Sequence, residues 1–104
     1  MIARSDIIKI AKEIGEVADA ERVILFGSQV TGAGRPDSDI DLLVIAHSDL
    51  PRHKRSREIY RNMKSFKIPV DIVVYTPDEV QKGSLTPVSF ISQVLQNGET
   101  VYAR

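Results

Sequence analysis

"GSQVTGAGRPDSDIDLLVIA", residues 27–46, follows directly on "RVILF", residues 22–26, and the way these two pieces join decides the fold. Val23 to Phe26 is a short unbroken apolar run stopped by Gly27, the pattern of a strand buried on both faces. Asp39 to Ala46 is a second such run, and it begins with two aspartates at alternate positions, Asp39 and Asp41. Residues two apart on a strand share a face, with Cα atoms about 6.5 Å apart, so both carboxylates project side by side from its start. Gly27-Ser28 lies at the end of the first strand. The two features meet at one edge of a sheet only if these strands run antiparallel.

Outward from this centre the chain alternates helix and strand. Ser5 is a candidate cap for a first helix whose apolar residues Ile7, Ile10, Ala11, Ile14, Val17 and Ala18 fall on one 3.6-residue face. Residues 28–37, with Gly32, Gly34 and Pro36, read as a short polar helix or loop. Asp49 and Pro51 open another helical stretch carrying Ile59, Met63 and Phe66, with Tyr60 beside them. "IPVDIVVY", residues 68–75, is a third buried strand. Thr76-Pro77-Asp78-Glu79 has the form of a capping box with proline at the first helical position. Thr86-Pro87 is expected to start a last helix carrying Val88, Ile91 and Leu95, closed by Asn97-Gly98, and Thr100 to Tyr102 a short final strand. The expected class is α/β (α+β): one domain over residues 1–104 with a small mixed sheet of three or four strands flanked by helices.

Composition narrows the setting. With 104 residues there is material for one small core. The formal net charge is zero, so bulk charge points to neither nucleic acid nor membrane. Cysteine is absent, which removes disulfides and thiolate metal sites and fits a reducing cytoplasm. No apolar run approaches the roughly 18 residues that cross a bilayer, and the N-terminus has helical periodicity rather than the apolar block of a signal peptide. A cytoplasmic protein is expected.

Three phosphate or metal motifs fail on a residue their chemistry needs. Gly27 and Gly32 have the spacing of a P-loop, but Ala33 stands in place of the lysine. Gly32-x-Gly34 opens a dinucleotide fingerprint, but Asp37 takes the third glycine position. Asp37-x-Asp39-x-Asp41 opens a calcium loop, but Leu42 replaces its turn glycine and Ser48 its bidentate glutamate. A different arrangement survives. If the third strand runs parallel beside the second, Asp71 comes within one strand spacing, about 4.8 Å, of the Asp39/Asp41 pair. Three carboxylates so close repel one another unless a cation sits among them. Hard divalent ions prefer such oxygens, and Mg²⁺ is commonly held by a few carboxylates together with substrate phosphates. Gly27 lets backbone approach a triphosphate, and the Ser28 hydroxyl and nearby N–H groups donate to phosphate oxygens.

Gly27-Ser28, ten intervening residues, then Asp39-Ile40-Asp41 resembles the G-S-x10-D-x-D signature of the DNA polymerase β-like nucleotidyltransferase superfamily. At ordinary residue frequencies that combination arises by chance in roughly one such chain in a thousand. Nearly the whole chain is similar to the minimal nucleotidyltransferases (MNT group), whose third carboxylate corresponds to Asp71. The resemblance implies a polymerase β-like nucleotidyltransferase fold and Mg²⁺-dependent transfer of a nucleoside monophosphate, AMP from ATP, to a hydroxyl. It implies Asp39, Asp41 and Asp71 as catalytic and metal-binding residues, two Mg²⁺ ions (with Mn²⁺ a possible substitute), and Gly27 and Ser28 as nucleotide-binding residues. It also implies a partner, a HEPN-domain toxin modified on a tyrosine, with this chain as its antitoxin. The alternative is a weak or inactive module of the same fold that neutralises its partner by contact. One departure bears on that choice: many small members read G-S-x-A-R-G, and here Thr31 stands at the arginine position, with the next arginine at 35.

Residues 51–67 carry seven Lys/Arg against one acid, so the rest of the chain is −6. Such a helix is read first as a solvated face and second as a surface for an acidic partner or for nucleotide phosphates. The stretch's Tyr60 and Phe66 go with its apolar stripe and do not alternate with the charges as base stacking requires, so nucleic acid is not expected as the primary ligand. His47 and His53 have no ligand spacing and are read as surface residues. A homo-oligomer stays open.

Overall fold

The computed structural model describes residues 3–27, 30, 40–63 and 68–104. Helix α1 (Arg4–Ala18) is followed by strands β1 (Arg22–Phe26) and β2 (Ile40–Ile45), helix α2 (Arg52–Asn62), strand β3 (Val70–Tyr75), helices α3 (Pro77–Ser84) and α4 (Phe90–Asn97), and strand β4 (Glu99–Ala103). The strands form one mixed sheet in the order β3-β2-β1-β4, with β1 antiparallel to both of its neighbours and β3 parallel to β2. Both pairings that the sequence required for a single carboxylate site are therefore present.

The sheet is covered on both faces, which is why β1 and β2 read as continuous apolar runs rather than alternating ones. Val23, Leu25, Ile40, Leu42, Val44, Val70, Ile72 and Val74 pack with Ile7, Ala11 and Ile14 of α1 and Ile59 of α2. On the other face Ile24, Leu43 and Ile45 meet Ile91 and Val94 of α4. Gly15 lets α1 lie close to β4, since a Cβ there would overlap the Tyr102 ring.

Two helix starts differ from the sequence reading. Helix α1 begins one residue before Ser5: the amides of Asp6 and Ile7 bond to the Ala3 carbonyl, and no side chain caps the end. Helix α4 starts at Phe90 rather than at Thr86-Pro87, with the Ser89 hydroxyl accepting from the Ser92 amide at 3.1 Å. Val88 is 82% exposed and lies off the buried stripe. Instead, Ser89 and Ser92 donate to the carbonyls of Gly83 and Thr86, at 2.6 and 2.7 Å, and close the turn between α3 and α4. The capping box at α3 is formed as expected, with Thr76 accepting from the Glu79 amide and Glu79 accepting from the Thr76 amide. Helix α2 ends at Asn62, and Phe66 lies outside the described residues.

Candidate functional site

At one end of the sheet the register sets three residues in a row: Phe26 opposite Asp41, and Asp41 beside Asp71. Directly paired residues point to the same face, and alternation sets Asp41 and Asp71 opposite to the buried Leu42 and Ile72. Asp41 is half-buried and Asp71 exposed. The two residues therefore stand side by side on adjacent strands, whose backbones lie about 4.8 Å apart. Only the strand pairing brings together residues thirty apart in sequence.

Gly27 completes this corner. Its φ of +83° lies in the left-handed region, and a Cβ on it would collide with Asp41 Oδ2. Glycine is thus required twice, once for the turn that ends β1 and once for the Asp41 carboxylate resting over it. Past the turn, the Val30 amide donates to the Gly27 carbonyl at 3.2 Å. Beside Gly27 opens a recess of about 360 Å³ whose walls include Phe26, Val30, Phe90, Gln93 and Asn97. Phe26 and Phe90 meet there edge to face, with centroids 5.4 Å apart.

Of the five residues singled out from sequence, Gly27, Asp41 and Asp71 gather at this corner, while Ser28 and Asp39 lie outside the described residues. Among the described residues no group of three His, Cys, Asp or Glu side chains gathers at a point. The donors that do gather are hard carboxylate oxygens on neighbouring strands, chemistry that suits Mg²⁺ or Mn²⁺ and not a soft metal.

The basic helix divides into two parts. Arg55, with a side chain only 9% exposed, donates to the carbonyls of Leu50 and Val74 and pairs with Glu79 at 2.5 Å. Arg52 pairs with the same carboxylate at 3.0 Å and stacks 4.1 Å from the Tyr75 ring centroid. The Arg55 hydrogen bond dominates in pulling the Glu79 pKa from 4.5 to about 2; burial opposes it, and the Thr76 amide and Arg52 add to it. These two arginines tie α2 to α3 and are not open docking groups. The sequence offered no signal for this, because Arg55 and Glu79 are 24 residues apart. Lys54 and Arg57 are exposed, as are His47 and His53.

A mixed four-stranded sheet flanked by helices, with paired aspartates and a left-handed glycine at one corner, defines a small α/β domain. The chain belongs to the nucleotidyltransferase domain family, whose model matches residues 4–99. Among solved structures it is similar to a protein of Sulfolobus solfataricus described as a "putative nucleotidyltransferase", at 25% identity over 97% of this chain and 84% of that one, with a TM-score of 0.64. It also shares its fold with a chain of a toxin–antitoxin structure solved with AMP-PNP, at 23% identity over 99% of this chain and 75% of that one, with a TM-score of 0.58. No curated protein matches the chain.

Proposed function

We propose that this chain transfers AMP from ATP to a hydroxyl on a protein partner, a tyrosine of a HEPN-type toxin, and thereby acts as an antitoxin. The observation that carries the reading is the register that sets Asp71 beside Asp41, over Gly27, in a chain of the nucleotidyltransferase domain family. The toxin–antitoxin structure of the same fold, solved with AMP-PNP, supports a protein partner and an adenine nucleotide.

In the reaction the acceptor oxygen attacks the α-phosphorus, the bond to pyrophosphate breaks, and the hydroxyl proton leaves. Asp39, Asp41 and Asp71 would hold Mg²⁺, two ions in this reading, and the bound cation supplies neutralisation of charge on the phosphates. Gly27 and Ser28 hold the β and γ phosphates through backbone N–H groups and the serine hydroxyl. In this reading Asp71, exposed at the start of β3, draws the proton from the acceptor. The protein's own part is alignment, with no covalent intermediate on any side chain.

The test is incubation with the partner, ATP and Mg²⁺, read by mass spectrometry: the partner gains one or more AMP units, and Asp41→Asn abolishes the gain. A second reading, neutralisation by contact alone, is favoured by Thr31 at the position where many small members carry arginine. Under it the partner is silenced equally well without ATP and its mass does not change.

A further inference from the structure

Strand β3 is an edge of the sheet, and an edge strand leaves alternate backbone groups without a ladder partner. The ladder to β2 uses the odd positions: the Pro69 carbonyl accepts from the Ile40 amide and the Tyr75 carbonyl from the Ala46 amide, both at 3.0 Å. The even positions therefore face outward. Helix α2 covers them with side chains. Tyr60 Oη donates to the Val70 carbonyl at 2.9 Å and accepts from the Ile72 amide at 2.9 Å. Farther along, Arg55 donates to the Val74 carbonyl at 3.2 Å.

The Tyr60 pair is the one that matters for chemistry. A carbonyl at position i and an amide at i+2 on the same edge are the two groups that a residue of a parallel neighbour strand would engage. One hydroxyl, donating and accepting at once, takes that residue's place. The residue it brackets is Asp71. The Asp71 backbone is thus held from both sides, by the β2 ladder within the sheet and by Tyr60 across the open edge.

We infer that Tyr60 is a positioning residue for the nucleotidyl-transfer site: its hydroxyl clamps the Val70–Ile72 edge and so fixes the Asp71 carboxylate against Asp41. The inference rests on the proposed role of Asp71 in cation binding. An edge strand free to fray at its first residues would let Asp71 drift from Asp41, and a cation held by both would feel that as lost affinity. Removal of a group that orients a metal ligand typically costs tenfold or more in affinity. Tyrosine rather than phenylalanine is needed because only the hydroxyl carries the two bonds; the residue is 38% exposed.

The experiment is a double-mutant cycle of Tyr60→Phe and Asp71→Asn, titrating Mn²⁺ in the presence of ATP by electron paramagnetic resonance. Amide hydrogen exchange at Ile72 is followed in the wild type and in Tyr60→Phe. Asp71→Asn should weaken Mn²⁺ binding strongly. Tyr60→Phe alone should weaken it by roughly tenfold, and should change nothing further in the Asp71→Asn background. The Ile72 amide should be protected in the wild type and exchange faster in the variant. An equal loss in both backgrounds would mark a merely structural tyrosine and overturn the inference. So would a Tyr60→Phe variant that binds Mn²⁺ as the wild type does while Asp71→Asn does not; in that event the role of Asp71 stands. An Ile72 amide unprotected in the wild type would show that the clamp is not made. If Asp71→Asn itself leaves Mn²⁺ binding intact, the role of Asp71 fails and the inference falls with it.

Discussion

Asp41 and Asp71 face each other across one strand spacing with the same sign of charge. In the absence of cation that pairing is unfavourable, so taking one charge away should not weaken the fold. Asp71 is the cleaner residue to change, being exposed. Asp71→Asn is expected to melt in EDTA within about 0.5 kcal/mol of the wild type, or slightly above it, while losing Mn²⁺-dependent ATP binding in calorimetry. A clear loss of stability would instead mark Asp71 as a structural residue. Gly27 makes the opposite kind of site. Gly27→Ala introduces a side chain at a φ of +83° and into the Asp41 carboxylate. It should cost about 1–3 kcal/mol in denaturant unfolding and weaken nucleotide binding as well. Unchanged binding in that variant would separate the glycine from the site.

Among the elements, the join between α2 and α3 is the most strongly electrostatic. Glu79 closes the capping box of α3 and at the same time takes the buried Arg55 of α2. Because its folded pKa, about 2, lies below its ordinary 4.5, the ionised form favours the fold. That contribution is complete above pH 4.5 and is lost as the pH falls from there toward 2. A shift of this size converts to a little over 3 kcal/mol at neutral pH, which solvent screening of the partly exposed carboxylate lowers to about 2–3 kcal/mol. Glu79→Gln keeps an acceptor for the Thr76 amide but leaves the Arg55 guanidinium without its anion. Urea unfolding at pH 7 should show the variant less stable by about that amount, with the gap closing near pH 2. A gap that persists unchanged in acid would mean that the ionised Glu79–Arg55 pair is not what separates the two proteins.

At the scale of the whole molecule the charges are divided between one helix and the rest of the chain, although they sum to zero. With Arg52 and Arg55 engaged by Glu79 and Arg61 paired with Glu58, the exposed cations Lys54 and Arg57 are what α2 offers to the proposed partner. Charge reversal at both, Lys54→Glu with Arg57→Glu, should slow association with the proposed partner and flatten its fall with salt, while ATP and Mn²⁺ binding stay as they are. Stopped-flow association at two ionic strengths reads this directly. Equal rates for both proteins would place the docking surface elsewhere. Among the described residues no helix is long and apolar enough to cross a membrane.

Local chemistry in the chain already determined a good deal. Val23 to Phe26, Leu42 to Ile45 and Ile72 to Val74 read as strands covered on both sides because unbroken apolar runs have no solvent face to offer. The α3 capping box was legible because its hydrogen bonds span three residues. Gly27 and Asp41 were legible as candidates because the spacing of glycine and carboxylates is a local pattern, and Asp71 because it opens a third apolar strand. The tertiary structure decided what depends on distant partners. It gave α4 its start at Ser89, where the turn back to Gly83 and Thr86 closes, and not at the Thr86-Pro87 signal. It withdrew Arg55 from a face that looked uniformly basic, since its anion is supplied from another helix. It also turned Tyr60, beside the apolar stripe of α2, into the clamp on the edge that carries Asp71. The reason is the same in each case: a hydrogen bond or ion pair between different elements, or across a turn between them, leaves no periodicity or motif in the sequence, so only the folded arrangement can assign it.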